Sequence, residues 1–513
     1  MPDEGSVDGG ESDTARAHDA GQHNAGLPVS RIPPEILTAA FSILASIDSP
    51  CRYSKSLAWI AITHVCRRWR HITLNNPALW STIILPFPLG ARWAEAFFSR
   101  SQNADLTITK LIARYSPPIR QSELALVHVN LSRTRSLGIC TDIKAGNSAL
   151  SAPAPLLHTL DIDFRDSPPS LPDGLLSAPS GTPALQHLRV TTRGALPWTS
   201  PLLAHLVTLD IVFGKQPMYS TAGLVEVLDA LQAMRNTLER LVVALKFTDV
   251  DGAAHSVIQM GKLRQMDLKG SAETASLLFS NIALPVDASI RCTIGPIADG
   301  RDIETSLPKI AACLGTLSNV KIALNNYDSC EFQHTFEVAT WRDGNTESAP
   351  ALAAAFVLDE DGSNEVEIIA GATAAAFSEH VKHLIVQSNI VHWPWEDALQ
   401  HAHSLHDLVV EGLAALPFLS TLFDSNENFL PSLSTLAIHR FNFLMEGMGA
   451  DRRYYWYSTE LVRCLGNRAR AGCALKVLDI TGSGMDKKTV SELRQMPGME
   501  VRWSEHFDRS RLR

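Results

Sequence analysis

Between residues 32 and 80 the apolar positions follow helical spacing. Ile36, Leu37, Ala40, Phe41 and Leu44 make one apolar stripe about three turns long, which predicts a helix. Pro33 and Pro34 suit its opening, where a missing N–H costs nothing, and Glu35 falls favourably in the first turn. Asp48, Ser49 and Pro50 break the pattern. Leu57 to Ile62 reads as a short, almost wholly apolar helix. Thr63 to Leu74 reads as a longer one with Val65, Trp69 and Ile72 on one side, Arg67, Arg68 and Arg70 on others, and Asn75, Asn76 and Pro77 as its stop. Three helices in so short a segment cannot bury this much apolar surface among themselves, so a partner is expected.

Downstream, the period changes. Ser81 to Leu85 and Asp105 to Ile112 read as strands flanking a helix, Leu89 to Arg100, with Trp93, Ala96 and Phe97 at core spacing. From about residue 131 a phrase Leu-x-x-Leu-x-Ile recurs. Its clear copies centre on Leu160, Leu188, Leu209, Leu241 and Met266, then on Leu384, Leu408, Leu436 and Leu478. Apolar residues at i, i+3 and i+5 point inward where the chain enters a short strand, and stacked neighbours supply the core that one unit lacks. Helix-like stretches lie between copies, at Gly223 to Arg235, Glu396 to His403 and Ser458 to Ala471. The rhythm is interrupted from Ala323 to Thr373, where Glu331 to Trp341, Ala353 to Leu358 and Glu365 to Ile369 read as strands. These strands fit degenerate repeats carrying a hairpin insertion, or a separate small domain. Met499 to Trp503 reads as a last strand.

Pro-Pro-Glu-Ile-Leu from Pro33, Phe41 beyond it and Val-Cys-Arg-Arg-Trp-Arg from Val65 resemble an F-box. The closing Asn-Pro-Ala-Leu-Trp-Ser-Thr-Ile is similar to large fungal F-box families, of the type expanded in basidiomycetes. Ile32 replaces the usual Leu, and the first connection, Ala45 to Ser56, is long. The resemblance implies docking on the Skp adaptor of a Skp–cullin–F-box ubiquitin ligase through Ile32, Pro33, Pro34, Ile36, Leu37, Phe41, Val65, Cys66 and Trp69. The recurring phrase resembles leucine-rich repeats, although the Asn or Cys that usually follows the strand is mostly missing. The expected fold class is therefore α/β, a three-helix F-box followed by an irregular, horseshoe-like leucine-rich-repeat solenoid.

Composition adds limits. Met1 to Gly26, rich in Gly, Asp, Ser and Ala with Arg16 as its only Lys or Arg, reads as a disordered acidic tail without signal-peptide character. The expected domains are this tail (1–26), the F-box-like helices (27–80), a linking strand–helix–strand unit (81–130) and the repeats (131–513). A formal charge of −9 argues against nucleic-acid binding, and no apolar run is long enough to span a membrane. Eight scattered cysteines without a Cys-x-x-Cys pair suit a reducing compartment, cytoplasmic or nuclear. His380, His383, His392, His401, His403 and His406 form a histidine-dense stretch, but no carboxylate or thiolate completes a metal set, and no cofactor motif or catalytic constellation stands out. Arg453 and Trp456, in a run of Arg and aromatic residues, are candidates for cargo contact. The expected role is a non-enzymatic substrate adaptor that brings an unknown protein cargo to a cullin ligase; the alternative is a repeat scaffold capped by the F-box-like helices.

Overall fold

The computed structural model describes residues 28–48, 50, 57–110, 119–141, 150, 152–164, 185–191, 198–212, 220–248, 256–285, 287–294, 319–326, 334–341, 352–358, 381–388, 395–399, 402–425, 429–443 and 457–504. The chain divides into two compact units, 1–192 and 193–513. Both mix helices with mainly parallel strands. The tail 1–26, the strand expected at Glu365 to Ile369, and His380, His392, His401, Arg453 and Trp456 lie outside the described residues. Among the described residues no helix is long and apolar enough to cross a membrane.

The first unit opens with α1 (Pro34–Ile47), a 3-10 turn (Ala58–His64), α2 (Arg67–Leu74) and a second 3-10 turn (Pro77–Trp80). The single helix expected from Thr63 to Leu74 is thus two pieces. Cys66 is extended (φ −156°, ψ 166°), and its sulfur accepts a weak 3.5 Å hydrogen bond from the Trp69 N–H, capping α2. That break turns Val65 to solvent, 58% exposed, instead of placing it beside Trp69.

Next come β1 (Thr82–Leu85), α3 (Ala91–Arg100), β2 (Leu106–Lys110), α4 (Gln121–Asn130), β3 (Thr134–Thr141), β4 (Thr159–Phe164) and β5 (His187–Thr191). The five strands pair in sequence order, all parallel. Leu137, Leu160 and Leu188 stand in one register row and Ile139, Ile162 and Val190 in another, all buried. Pairing strand to strand in this way stacks the inward residues of successive phrases into continuous apolar rows.

The small helices are not left to find cover elsewhere for all their apolar surface. Trp59 and Trp80 pack edge-on to each other at 5.0 Å, and Trp80 packs on Phe97 of α3 at 4.9 Å, with Phe87 4.8 Å from Phe97. The fully buried Trp80 indole donates a 2.9 Å hydrogen bond to the Thr73 carbonyl, and the Arg100 guanidinium sits 4.4 Å from its ring. Buried Glu123 adds a polar staple: one oxygen accepts the Phe87 N–H at 2.9 Å and the other accepts the Arg120 N–H at 3.1 Å, opening α4. The helical segment is therefore fastened to the strand–helix unit that follows it.

In the second unit the chain runs β6 (Thr208–Val212), β7 (Ser220–Ala222), α5 (Leu224–Met234), β8 (Arg240–Phe247), β9 (Ile258–Gln259), β10 (Gln265–Gly270), α6 (Ala272–Asn281), β11 (Ile282–Ala283) and β12 (Ser289–Ile294). It continues through β13 (Asn319–Asn326), β14 (His334–Trp341), β15 (Leu352–Leu358), β16 (His383–Ser388), α7 (Trp395–Leu399), β17 (Asp407–Gly412), α8 (Ala415–Asp424), β18 (Thr435–His439), α9 (Tyr457–Arg470), β19 (Val477–Asp479), α10 (Lys487–Arg494) and β20 (Glu500–Arg502).

The spatial order β6-β8-β10-β12 is parallel throughout, and so is β16-β17-β18-β19-β20. Between them the irregular section enters in reverse, as β12-β15-β14-β13-β16, with β14 antiparallel to both its neighbours. The strand-rich section is thus laid into the sheet. Reversal is needed because one meander of three strands keeps its outer two parallel to the flanks.

One backbone device repeats in both units. The carbonyl just before a strand accepts the two successive N–H groups that lead into the next strand: His158 from Gln186 and His187 (2.9 and 3.1 Å), Val207 from Glu239 and Arg240 (2.8 and 3.1 Å), Ser434 from Lys476 and Val477 (2.8 and 3.1 Å). Lys382 and His406 carbonyls do the same. Each phrase enters its strand at the same height, so its Leu and Ile fall into register. The helices between copies cover the inward side, as with α5, which buries Leu224, Val227, Leu228, Leu231 and Met234. α9 is pinned by Arg468, 2% exposed, whose guanidinium donates to the Phe429 and Leu430 carbonyls.

Trp80→Ala removes the largest fully buried side chain of the first unit and an indole hydrogen bond together. Its expected cost is about 3–5 kcal/mol. Urea unfolding followed by tryptophan fluorescence, with Trp59→Phe as a milder control, measures it.

Candidate protein-docking site

α1 is apolar on two sides. Leu37 and Phe41, one helical turn apart, are each 4% exposed and face the 3-10 turn and α2; the Phe41 ring meets Trp69 edge-on at 5.1 Å. Ile36, Ile43 and Ile47 are 59%, 64% and 76% exposed, and with exposed Ala40 they recur at i, i+4, i+7 and i+11. That is one face of a helix. The single stripe read from the sequence is thereby divided: Ile36 and Ala40 belong to the solvent face, Leu37 and Phe41 to the core beneath it. Isolated exposed aliphatics are ordinary, but an aligned row is a contact surface.

The lead-in to α1 is held in place from α2. The Arg68 guanidinium donates to the carbonyls of Ser30 and Ile32, the latter at 2.5 Å. Half-buried Ile32 and exposed Pro33 and Pro34 are thereby fixed at the helix start, with Pro34 at the first helical position. Sequence reasoning treated Arg68 as a solvent-facing charge. Its spacing from Ile32 carries no local signal, because the contact exists only once the chain has folded back on itself. Of the candidate residues, Ile36, Pro33, Pro34 and Val65 are open to a partner. Leu37 and Phe41 shape the helix from within, Cys66 caps α2, and half-buried Trp69 bridges the two helices.

A second outward face lies on β16 to β19. Register brings Ile385, Val409 and Ala437 side by side, and the next row is Gln387, Glu411 and His439. The Gln387 amide donates to Glu411 at 2.6 Å; His439 lies 3.7 Å from Glu411 by Nδ1 and 3.5 Å from Asp479 by Nε2, and Arg440 lies 3.8 Å from Glu411. His383 pairs with Asp407, its register neighbour. The histidine-dense stretch therefore serves carboxylates: among the described residues no group of three or more His, Cys, Asp or Glu is placed to hold a metal ion. The hydrogen bond to His439 holds the Glu411 carboxyl below its ordinary range, and the same bond, with Asp479 adding to it, lifts His439 above the ordinary histidine value against the opposing effect of burial.

A histidine whose pKa is raised by folding contributes stability that is complete below the unfolded value and is lost as pH rises through the folded one. The second unit is therefore expected to lose stability as pH climbs above the ordinary histidine value of 6.5. Chemical denaturation from about pH 6 to about pH 8 should show a decline that His439→Gln flattens. The size of the effect is modest because the ring is partly solvated.

No curated protein matches the chain. Residues 29–86, which contain α1, α2 and β1 with the row of exposed isoleucines, match the family described as F-box-like, and the chain carries an F-box-like domain there.

Proposed function

We propose that the chain is a substrate-recognition subunit of a Skp–cullin–F-box ubiquitin ligase. The observation that carries this reading is the exposed row Ile36, Ala40, Ile43 and Ile47 on the first helix of the F-box-like domain. F-box domains generally bind Skp adaptors, and such a row suits a partner helix laid along it. Burying each isoleucine is worth roughly 1.5–3 kcal/mol before the costs of association. The strands after the domain are of leucine-rich-repeat type, with parallel phrases stacked at one height, and their outward faces receive a protein cargo. The chain performs no chemistry itself. It raises the local concentration of cargo near the charged ubiquitin carrier, in the cytoplasm or nucleus.

A scaffold reading has one observation in its favour. Trp59 and Trp80 pack on Phe97, which is how a cap would seal the first strand. A cap, however, has no use for an aliphatic row facing solvent.

Ile36→Asp with Ile43→Asp should leave the urea midpoint near wild type and cut co-purification with the Skp adaptor by at least about tenfold. Leu37→Ala should lower stability and capture together, since it empties the core. Arg68→Ala should weaken capture less, by freeing the lead-in. Undiminished capture by the double aspartate variant would favour the scaffold.

A further inference from the structure

The outward face of β16 to β19 joins two features that occur together nowhere else among the described strands. Ile385, Val409 and Ala437 form an aliphatic row running across three parallel strands, the first two partly open to solvent. The same register row ends on β19 at Asp479, the partner of Ala437. Carboxylates also flank the row on both sides, Asp407 before it and Glu411 after it. Against Asp407, Glu411 and Asp479 the face sets one permanent cation, the Arg440 guanidinium beside Glu411, and two histidines, His383 and His439. Lys382 and Lys476 share the pleat parity of buried Leu384 and Leu478, so alternation carries them to the other side of the sheet. Even with His439 protonated the face keeps a surplus of negative charge. Glu411 and Asp479 retain exposed fractions of 17% and 22%, enough for a cation to approach without the two becoming buried charges that must first be desolvated.

Resting on the reading of the strands as a cargo-binding array, we propose that this face selects a cargo segment carrying aliphatic side chains followed by a lysine or arginine. The aliphatic groups lie along Ile385, Val409 and Ala437. The ammonium or guanidinium reaches the Glu411 and Asp479 carboxylates at the end of the row, where His439 already bridges the same two groups. The row supplies contact area and the carboxylates supply direction, which is the usual division between an apolar centre and a charged rim.

Fluorescence polarisation of the full chain, alone and with the Skp adaptor, against three pools of short labelled peptides tests this. The pools are aliphatic with Lys or Arg, aliphatic with Glu, and polar with Lys or Arg. The first pool should bind at least about tenfold tighter than either other pool and weaken with added salt. Val409→Arg should abolish the preference, Asp479→Asn should remove its dependence on Lys or Arg, and the near-isosteric Val409→Thr, which leaves the packing volume unchanged, should reduce it. A preference for the acidic pool, equal binding of all pools, no binding, or binding indifferent to these variants in chains of wild-type melting temperature would overturn the proposal. Adaptor capture by α1 is scored separately in the same preparations. Loss of peptide selection with capture intact overturns this inference alone, whereas selection without capture would overturn the ligase role and leave the face standing.

Discussion

A strand of five or six residues with apolar side chains on one face has nothing to bury them against until a neighbour arrives, and its backbone groups are open on both edges. That constraint organises both units. Each Leu-x-x-Leu-x-Ile phrase is completed by the next, through paired N–H groups that converge on one carbonyl and set the following strand at the same height. The inward rows then close into a core in which Leu160, Leu209, Leu408, Leu436 and Leu478 are all but inaccessible. A one-residue slip at any strand would turn its apolar set outward, so the shared carbonyl is a register device as well as a source of hydrogen bonds. Even the antiparallel β14 obeys the rule, since its insertion keeps β12 and β16 each beside a parallel partner.

The F-box-like domain solves the same problem with aromatic rings. Too small to sustain its own core, it borrows one: Trp59 and Trp80 close on Phe97 and Phe87 from the strand–helix unit that follows. This frees α1 to keep a second apolar face uncovered. A helix that had to use every aliphatic residue for its own stability would have none to offer a partner. The division between Leu37 and Phe41 beneath and Ile36, Ile43 and Ile47 above is thus a consequence of where the aromatic joint sits. The same joint ties the docking helix to β1 and α3, so an adaptor bound on α1 grips the start of the strand ladder within this unit.

On the outward side of β16 to β19 the electrostatics follow from register. Gln387, Glu411 and His439 come from three phrases with no resemblance at that position, yet pairing lays them in a line. Carboxylate and imidazole then alter each other's affinity for protons, and the aliphatic row beside them acquires a charged boundary.

Local pattern alone was enough to specify the F-box-like motif, the helix of α1, α3, α5 and α9, and the strands at each Leu-rich phrase, because these depend on spacings of a few residues. It also determined that the chain would carry parallel stacked units, since each phrase is incomplete by itself. Spacing could not show that Cys66 breaks the second helical stretch, because an extended residue with a thiol cap looks like any other position in an apolar run. Nor could it separate Ile36 from Leu37, adjacent residues of equal hydropathy, as only the packing of Trp69 and the 3-10 turn decides which of them is covered. Arg68 on the Ile32 carbonyl and Glu411 between Gln387 and His439 join residues far apart in the chain. Such contacts are products of the tertiary fold, where strand register and chain reversal, rather than sequence distance, determine which groups meet.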